Sequence, residues 1–168
     1  MIIKNKKAQG WGLDLSVALM IFMFSMIILY LFSVNYSKSE QEEFEKVLYD
    51  SKIVMENIIS EGYPENWNRT NVKSIGILSQ GKINKTKLEF FYNLTQTDYP
   101  ETKRMFDTRY DYFFSIEKNF TISSGEIKGI GKPGTDVNNI DSENLVRAER
   151  FTIYENKPTK VYLYLWSK

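Results

Sequence analysis

The chain has 168 residues, enough for one domain and an anchor, and its 22 basic residues nearly balance 21 acidic ones for a formal net charge of +1. It has no cysteine and no histidine. This excludes a disulfide framework, thiolate chemistry, the Ser-His-Asp arrangement and His-ligated zinc or iron, so the expectation of an enzyme falls and no cofactor is implied.

The N-terminal third comes first in the chain and in importance. Lys4, Lys6 and Lys7 precede a run from Leu15 to Val34 of 20 mostly apolar residues, interrupted only by three serines and Tyr30. As a helix rising 1.5 Å per residue the run spans roughly 30 Å, the thickness of a bilayer hydrocarbon core. With every nearby lysine on the N-terminal side, the positive-inside rule keeps Met1 cytoplasmic and sends the residues after Val34 outside.

The small and polar residues Ala8, Gln9, Gly10 and Gly12 lie before the apolar run, not after it as in an ordinary secretory signal. A cut there leaves the hydrophobic helix on the mature chain. Lys6, Lys7, Ala8 and Gln9, then Asp14 and the unbroken apolar helix, resemble the class III signal of archaeal type IV pilin-like proteins. The resemblance implies that a membrane prepilin peptidase removes the basic leader, residues 1–8, between Ala8 and Gln9, with the bond between Gly10 and Trp11 as the alternative. It also implies that the exposed helix, residues 9–34, becomes the core of a filament built by an assembly ATPase and a polytopic platform protein.

Asp14 would then pair with the new α-amino group of a neighbouring subunit. It is sixth after a cut at Ala8, one place later than the family's usual acid. A carboxylate in lipid costs about 2.5–3.5 kcal/mol at mid-bilayer and less near the interface, and the alternative is a side chain that reaches the headgroups. Gly10, Gly12, Ser16 and Ala18 permit close helix approach. Losing three lysines with the leader takes the net charge from +1 to −2, which does not advertise nucleic-acid binding.

Residues 35–62 read as an amphipathic continuation of the helix. Phe44, Val47, Leu48, Val54, Met55, Ile58 and Ile59 form one stripe with Ser51 as its gap, and Gly62 and Pro64 stop it. One helix is thus expected from about Gly12 to Glu61, on the order of 75 Å long. A coiled-coil stalk is the alternative, on barely two heptads.

The head, residues 63–168, is expected to be α+β and extracytoplasmic. GYPENWNR turns the chain, residues 72–79 (VKSIGILS) make a short strand, and Asn84 caps a helix from Lys85 to about Leu94 with Leu88 and Phe91 inward. Thr97 or Asp98 caps a second short helix with Pro100 in its first turn. Residues 110–118 form a strand, residues 120–127 either pair with it or loop, and residues 130–144 are loop. Residues 145–154 and 159–166 are the clearest strands, a terminal hairpin joined by residues 155–158; the second is apolar on both faces, suited to burial or to presenting tyrosines. Arg147 and Glu149 point one way and Arg150 the other, with one arginine expected to be buried and paired and an inter-subunit salt bridge as the weaker alternative. GYP-x-x-W, SIGIL, the KTKLEFF helix, YDYFFSI and the closing RAER and YLYLW strands are similar to heads carried behind archaeal pilin-like leaders.

Five N-x-S/T sequons begin at Asn35, Asn68, Asn84, Asn93 and Asn119. The last four are candidate glycan carriers on an external head, Asn84 being also a helix cap; Asn35 lies too near the membrane. The glycines around Lys132 fail as a phosphate loop, because position 126 is Glu and position 133 is Pro. Glu42, Glu43 and Glu45 fan around a helix and solvate it, no EF-hand spacing occurs, and only the loop from Asp136 to Glu143 keeps a calcium site open.

Three functions compete on these grounds. The first is a pilin or minor pilin/adhesin that polymerises with itself or other pilins into a cell-surface filament, an archaellum being less attractive. The second is a single-pass anchored extracellular binding module that never polymerises. The third, an anchored carboxylate hydrolase, lacks a convincing acid pair.

Overall fold

The computed structural model describes residues 7–122 and 125–167, and the side chains of all of these except 7–10 and 35–40. The fold is α+β, with a long apolar helix at its N-terminal end. The chain divides into two compact units, Met1–Glu42 and Glu43–Lys168. Helix α1, Lys7–Ile58, contributes to both, starting earlier and ending earlier than the apolar pattern predicts.

Within the second unit α1 is held by the predicted stripe. Val47, Ser51, Val54, Met55 and Ile58 are buried, and the Ser51 hydroxyl donates to the Leu48 carbonyl at 2.7 Å, which makes a polar gap tolerable in the core. Phe44 departs from the expectation and is exposed. The last helical carbonyls have no intrahelical donor and are taken up by the chain that returns. Ile58 O accepts from Ile77 N and Ser60 O from Leu78 N, each at 2.8 Å.

That return explains why residues 72–79 are not the strand their composition predicts. Only β1, Leu78–Ser79, is strand, and the residues before it spend their backbone groups on the helix end and on an antiparallel bridge between Ser74 and Tyr63. Gly62 (φ 73°) and Gly76 lie back to back, where a Cβ on Gly76 would stand 2.3 Å from Gly62 N. Trp67, almost wholly buried, closes the corner by donating its indole N–H to the Gly76 carbonyl at 2.8 Å. The GYP-x-x-W and SIGIL segments are two halves of one turn.

Strand β2, Lys82–Ile83, pairs with β1 through Gln80 and Gly81, both at positive φ as a type I′ hairpin turn requires. Helix α2, Lys85–Thr97, starts at the predicted Asn84 cap, whose Oδ1 accepts from Thr86 N and Lys87 N. Helix α3, Tyr99–Met105, is capped by Asp98, whose side chain accepts from Glu101 N. Then come β3, Asp111–Ile116; the hairpin β4, Phe120–Ile122, and β5, Gly125–Ile127; β6, Ile130–Gly131; β7, Asn144–Tyr154; and β8, Lys157–Ser167.

The main sheet has the order β1-β2-β7-β8-β3-β6, antiparallel except for the single parallel contact of Lys82 with Ile153. Residues 120–122 and 125–127 do not join β3; they pair with each other. Ile130 and Gly131, expected in a loop, pair with β3, because Gly131 at φ 154° lets the backbones meet. The terminal hairpin turns on Glu155 and Asn156 alone, so Lys157 and Pro158 belong to the strand. Pro158 is tolerated there because β3 reaches only to Val161 on that side, leaving no neighbour to receive a missing N–H.

The inner face of β8, Val161, Leu163 and Leu165, joins Tyr112 and Phe114 of β3, Leu88 and Phe91 of α2 and the buried stripe of α1 in one core. Tyr162 and Tyr164 on the outer face are half-buried, and Trp166 is buried with Lys132 over its ring. Neither Arg147 nor Arg150 is buried, contrary to expectation. Arg147 lies over the Tyr162 ring and Arg150 donates to the Glu149 carbonyl, so β7 carries its arginines at an open margin of the sheet.

Candidate functional site

The segment Trp11–Val34 is long and apolar enough to cross a membrane and lies near the N-terminus, so it suits a membrane anchor or a signal sequence. Every residue in it is exposed. Its serines are made compatible with an apolar surround by bonding back along the helix: Ser16 Oγ donates to Gly12 O and Ser25 Oγ to Ile21 O, each at 2.8 Å. A Cβ placed on Gly12 would touch nothing within 4 Å, so nothing among the described residues uses the space that this glycine leaves.

Of the leader residues, Lys6 lies outside the described residues, as do the side chains of Lys7, Ala8, Gln9 and Gly10. The bond between Ala8 and Gln9 falls within α1. Trp11, beside the alternative bond, is exposed, and so is Asp14. Asn35 belongs to α1, its side chain outside those described.

The four head sequons fall in different settings. Asn68 is half-buried, and its Oδ1 accepts from Thr70 N at 2.8 Å and Thr70 Oγ1 at 2.7 Å. Asn84 spends the same atom as a helix cap. In both, the amide nitrogen that a glycan would take is not the atom so engaged. Asn93 is half-buried on α2 with its sequon Thr95 buried, and Asn119 is exposed between β3 and β4.

The head holds one polar cluster that local spacing does not reveal. Asp111 at the start of β3 accepts from Lys132 Nζ at 2.5 Å, Lys103 Nζ at 3.1 Å and the Tyr99 hydroxyl at 3.2 Å. Burial alone would push its carboxyl up, but the ammonium groups of Lys132 and Lys103 outweigh it and hold the group below the usual carboxylate range. Tyr99 in turn accepts from Tyr112 N at 3.0 Å, and burial raises its phenol. These bonds tie α3, β3 and the loop after β6 together, so the cluster fastens the head.

Two further ties act the same way. Arg109 Nη2 grips Glu43 at 2.6 and 2.8 Å while Tyr110 donates to Glu43 Oε1 at 2.9 Å. Lys87, on the buried side of α2, donates from Nζ to Glu61 O at 2.7 Å and Leu78 O at 2.8 Å; burial pushes its ammonium down, with Glu61 and Glu65 opposing. Among the described residues no group of three His, Cys, Asp or Glu is placed to hold a metal. That includes Asp136, whose carboxylate instead accepts from Asn138 N in a 3-10 turn.

Among the described residues most of the exposed large apolar side chains gather in the segment Trp11–Val34. No protein-family model matches this chain, and neither a curated protein nor a solved structure matches it.

Proposed function

We propose that this chain is a structural subunit of an archaeal type IV pilus-like surface filament, a pilin or minor pilin/adhesin, cut by a prepilin peptidase between Ala8 and Gln9 and assembled through its apolar helix. The observation that carries the reading is the uncovered segment Trp11–Val34 with a carboxylate, Asp14, near its start and small residues beside it. Before assembly lipid covers the segment. Afterwards identical neighbours do, and the same area stays out of water. Gly12 gives up about 1 kcal/mol of helix propensity relative to alanine, and close approach of a neighbouring helix is what offsets that cost.

In this reading the new α-amino group at Gln9 meets Asp14 of the next subunit, which neutralises a charge that lipid disfavours. The head stands outside the cell as the displayed part, with Asn68, Asn84, Asn93 and Asn119 as its glycan candidates. N-terminal sequencing of the native protein tests the cut, with Gln9 or Trp11 expected as the first residue. Negative-stain microscopy of sheared surface material tests assembly, with filaments expected from the parent and their loss from Asp14→Ala. An intact Met1 on dispersed membrane-bound molecules replaces this reading with the anchored binding module.

A further inference from the structure

Strand β7 is paired along its whole length on one side and almost nowhere on the other. Against β8 its register runs from Asn144 with Ser167 to Tyr154 with Lys157; on the opposite margin β2 meets it only at Ile153. A two-residue turn makes Tyr154 and Lys157 a hydrogen-bonded pair, so alternation turns the backbone groups of Leu145, Arg147, Glu149 and Phe151 away from β8. Two facts agree with that phase. Pro158, which has no N–H, stands opposite Ile153, and the Lys160 carbonyl is turned toward β3, where it accepts from Glu117 N. Of these edge groups, only the Glu149 carbonyl has a partner among the described residues, the Arg150 guanidinium at 3.0 Å.

On one face of this edge, Leu145, Arg147, Glu149 and Phe151, the side chains are self-complementary when the strand is reversed. Turned end for end about Ala148, Leu145 falls opposite Phe151 and Arg147 opposite Glu149. In that register all four outward-turned residues meet outward-turned residues, as an antiparallel ladder demands. Leu145 and Phe151 are 42% and 70% exposed, so an apolar pair waits at each end of a doubly charged centre.

We infer that the β7 edge is a docking surface for a second copy of this chain, joined by antiparallel β7 pairing about a two-fold axis at Ala148. Two apolar and two opposite-charge cross-strand pairs form, and the two sheets become one. Arg150 leaves the Glu149 carbonyl to a backbone donor from the partner. Glu149 keeps Lys160, at 2.9 Å, on its other side. Charged residues on an edge ordinarily prevent such pairing, yet here the two-fold register sets Arg147 and Glu149 each against its opposite, while Arg150, on the other face, falls opposite Val146. The inference goes beyond the filament reading. Subunits of one helical polymer repeat head to tail, whereas a two-fold contact joins two polymers side by side or two anchored copies.

The absence of cysteine makes the register directly testable in the full chain, purified in detergent micelles and oxidised with copper phenanthroline. Ala148→Cys is expected to form a disulfide dimer, because residues on the axis approach to about 4.5 Å between Cα atoms. Leu145→Cys and Phe151→Cys are each expected to stay monomeric alone and to cross-link when mixed. On the Ala148→Cys background, Arg147→Glu sets like charges together and is expected to weaken dimerisation about tenfold, and adding Glu149→Arg restores it. Thermal melts of each variant report that the head is folded. A monomeric Ala148→Cys chain overturns the inference. So does a mixture that cross-links no better than either single variant, which marks association through the apolar helix alone. None of these outcomes depends on leader cleavage or on filaments, so the two readings fail separately.

Discussion

In Trp11–Val34 every residue is exposed, whereas in the unit from Glu43 onward Trp67, Phe91, Phe106, Tyr112 and Phe114 are buried and no buried side-chain polar atom among the described residues lacks a partner. Both regions are rich in apolar side chains, so composition is not what separates them. The head has strands and helices whose faces can cover one another. The segment has a single helix, apolar on all sides, which one chain cannot cover. A fold can complete itself only where opposing faces exist, and the uncovered segment lacks one within its own chain among the described residues.

The largest effect breaks the contrast outright. A chain beginning at Glu43 is expected to stay in solution without detergent and to melt cooperatively within a few degrees of the full-length head, as read by size-exclusion chromatography and near-ultraviolet circular dichroism; an aggregated or non-cooperative product would show that the head needs the segment. Next in size, Trp67→Ala empties the corner where Gly62 and Gly76 meet and is expected to cost about 3–5 kcal/mol in urea unfolding, leaving membrane association unchanged.

Lys87→Met keeps the apolar stem but strands the carbonyls of Glu61 and Leu78, and a loss of about 2–3 kcal/mol is expected by the same measurement. Asp111→Asn is milder, about 1.5 kcal/mol at neutral pH. Its pH dependence has a definite sign. The folded carboxyl titrates below its ordinary 3.8, so its contribution is complete above that value and drains away as pH falls through the lower folded one. Parent and variant should therefore converge in strongly acidic solution. The smallest effect is Asn156→Ala, which forces alanine to φ 61° in the terminal turn and is expected to lower stability by about 1 kcal/mol.

Much of this contrast was legible residue by residue. A run of 20 mostly apolar positions admits few readings, and the alternation in residues 145–154 and 159–166 foretold the terminal hairpin. The Asn84 cap was readable because capping uses neighbours two and three places along the chain. What was not legible depends on partners far away in sequence. Residues 72–79 look like a strand until the end of α1 claims their N–H groups, and Phe44 fits the buried stripe by period yet falls outside the core. The Asp111 cluster joins positions 99, 103, 111 and 132 with no periodic signal, and one of its lysines stands in a glycine-rich stretch that reads as turn.

Local chemistry alone therefore determined the apolar segment, its basic flank, the helix caps and the last two strands, since each rests on interactions within a few residues along the chain. Tertiary structure decided which strands adjoin, that Gly62 and Gly76 share one corner, that Lys87 serves two separate carbonyls, and that β7 is left with an open margin. These depend on which backbone groups find partners across many residues of chain, and that choice is made only when the whole head closes on its core.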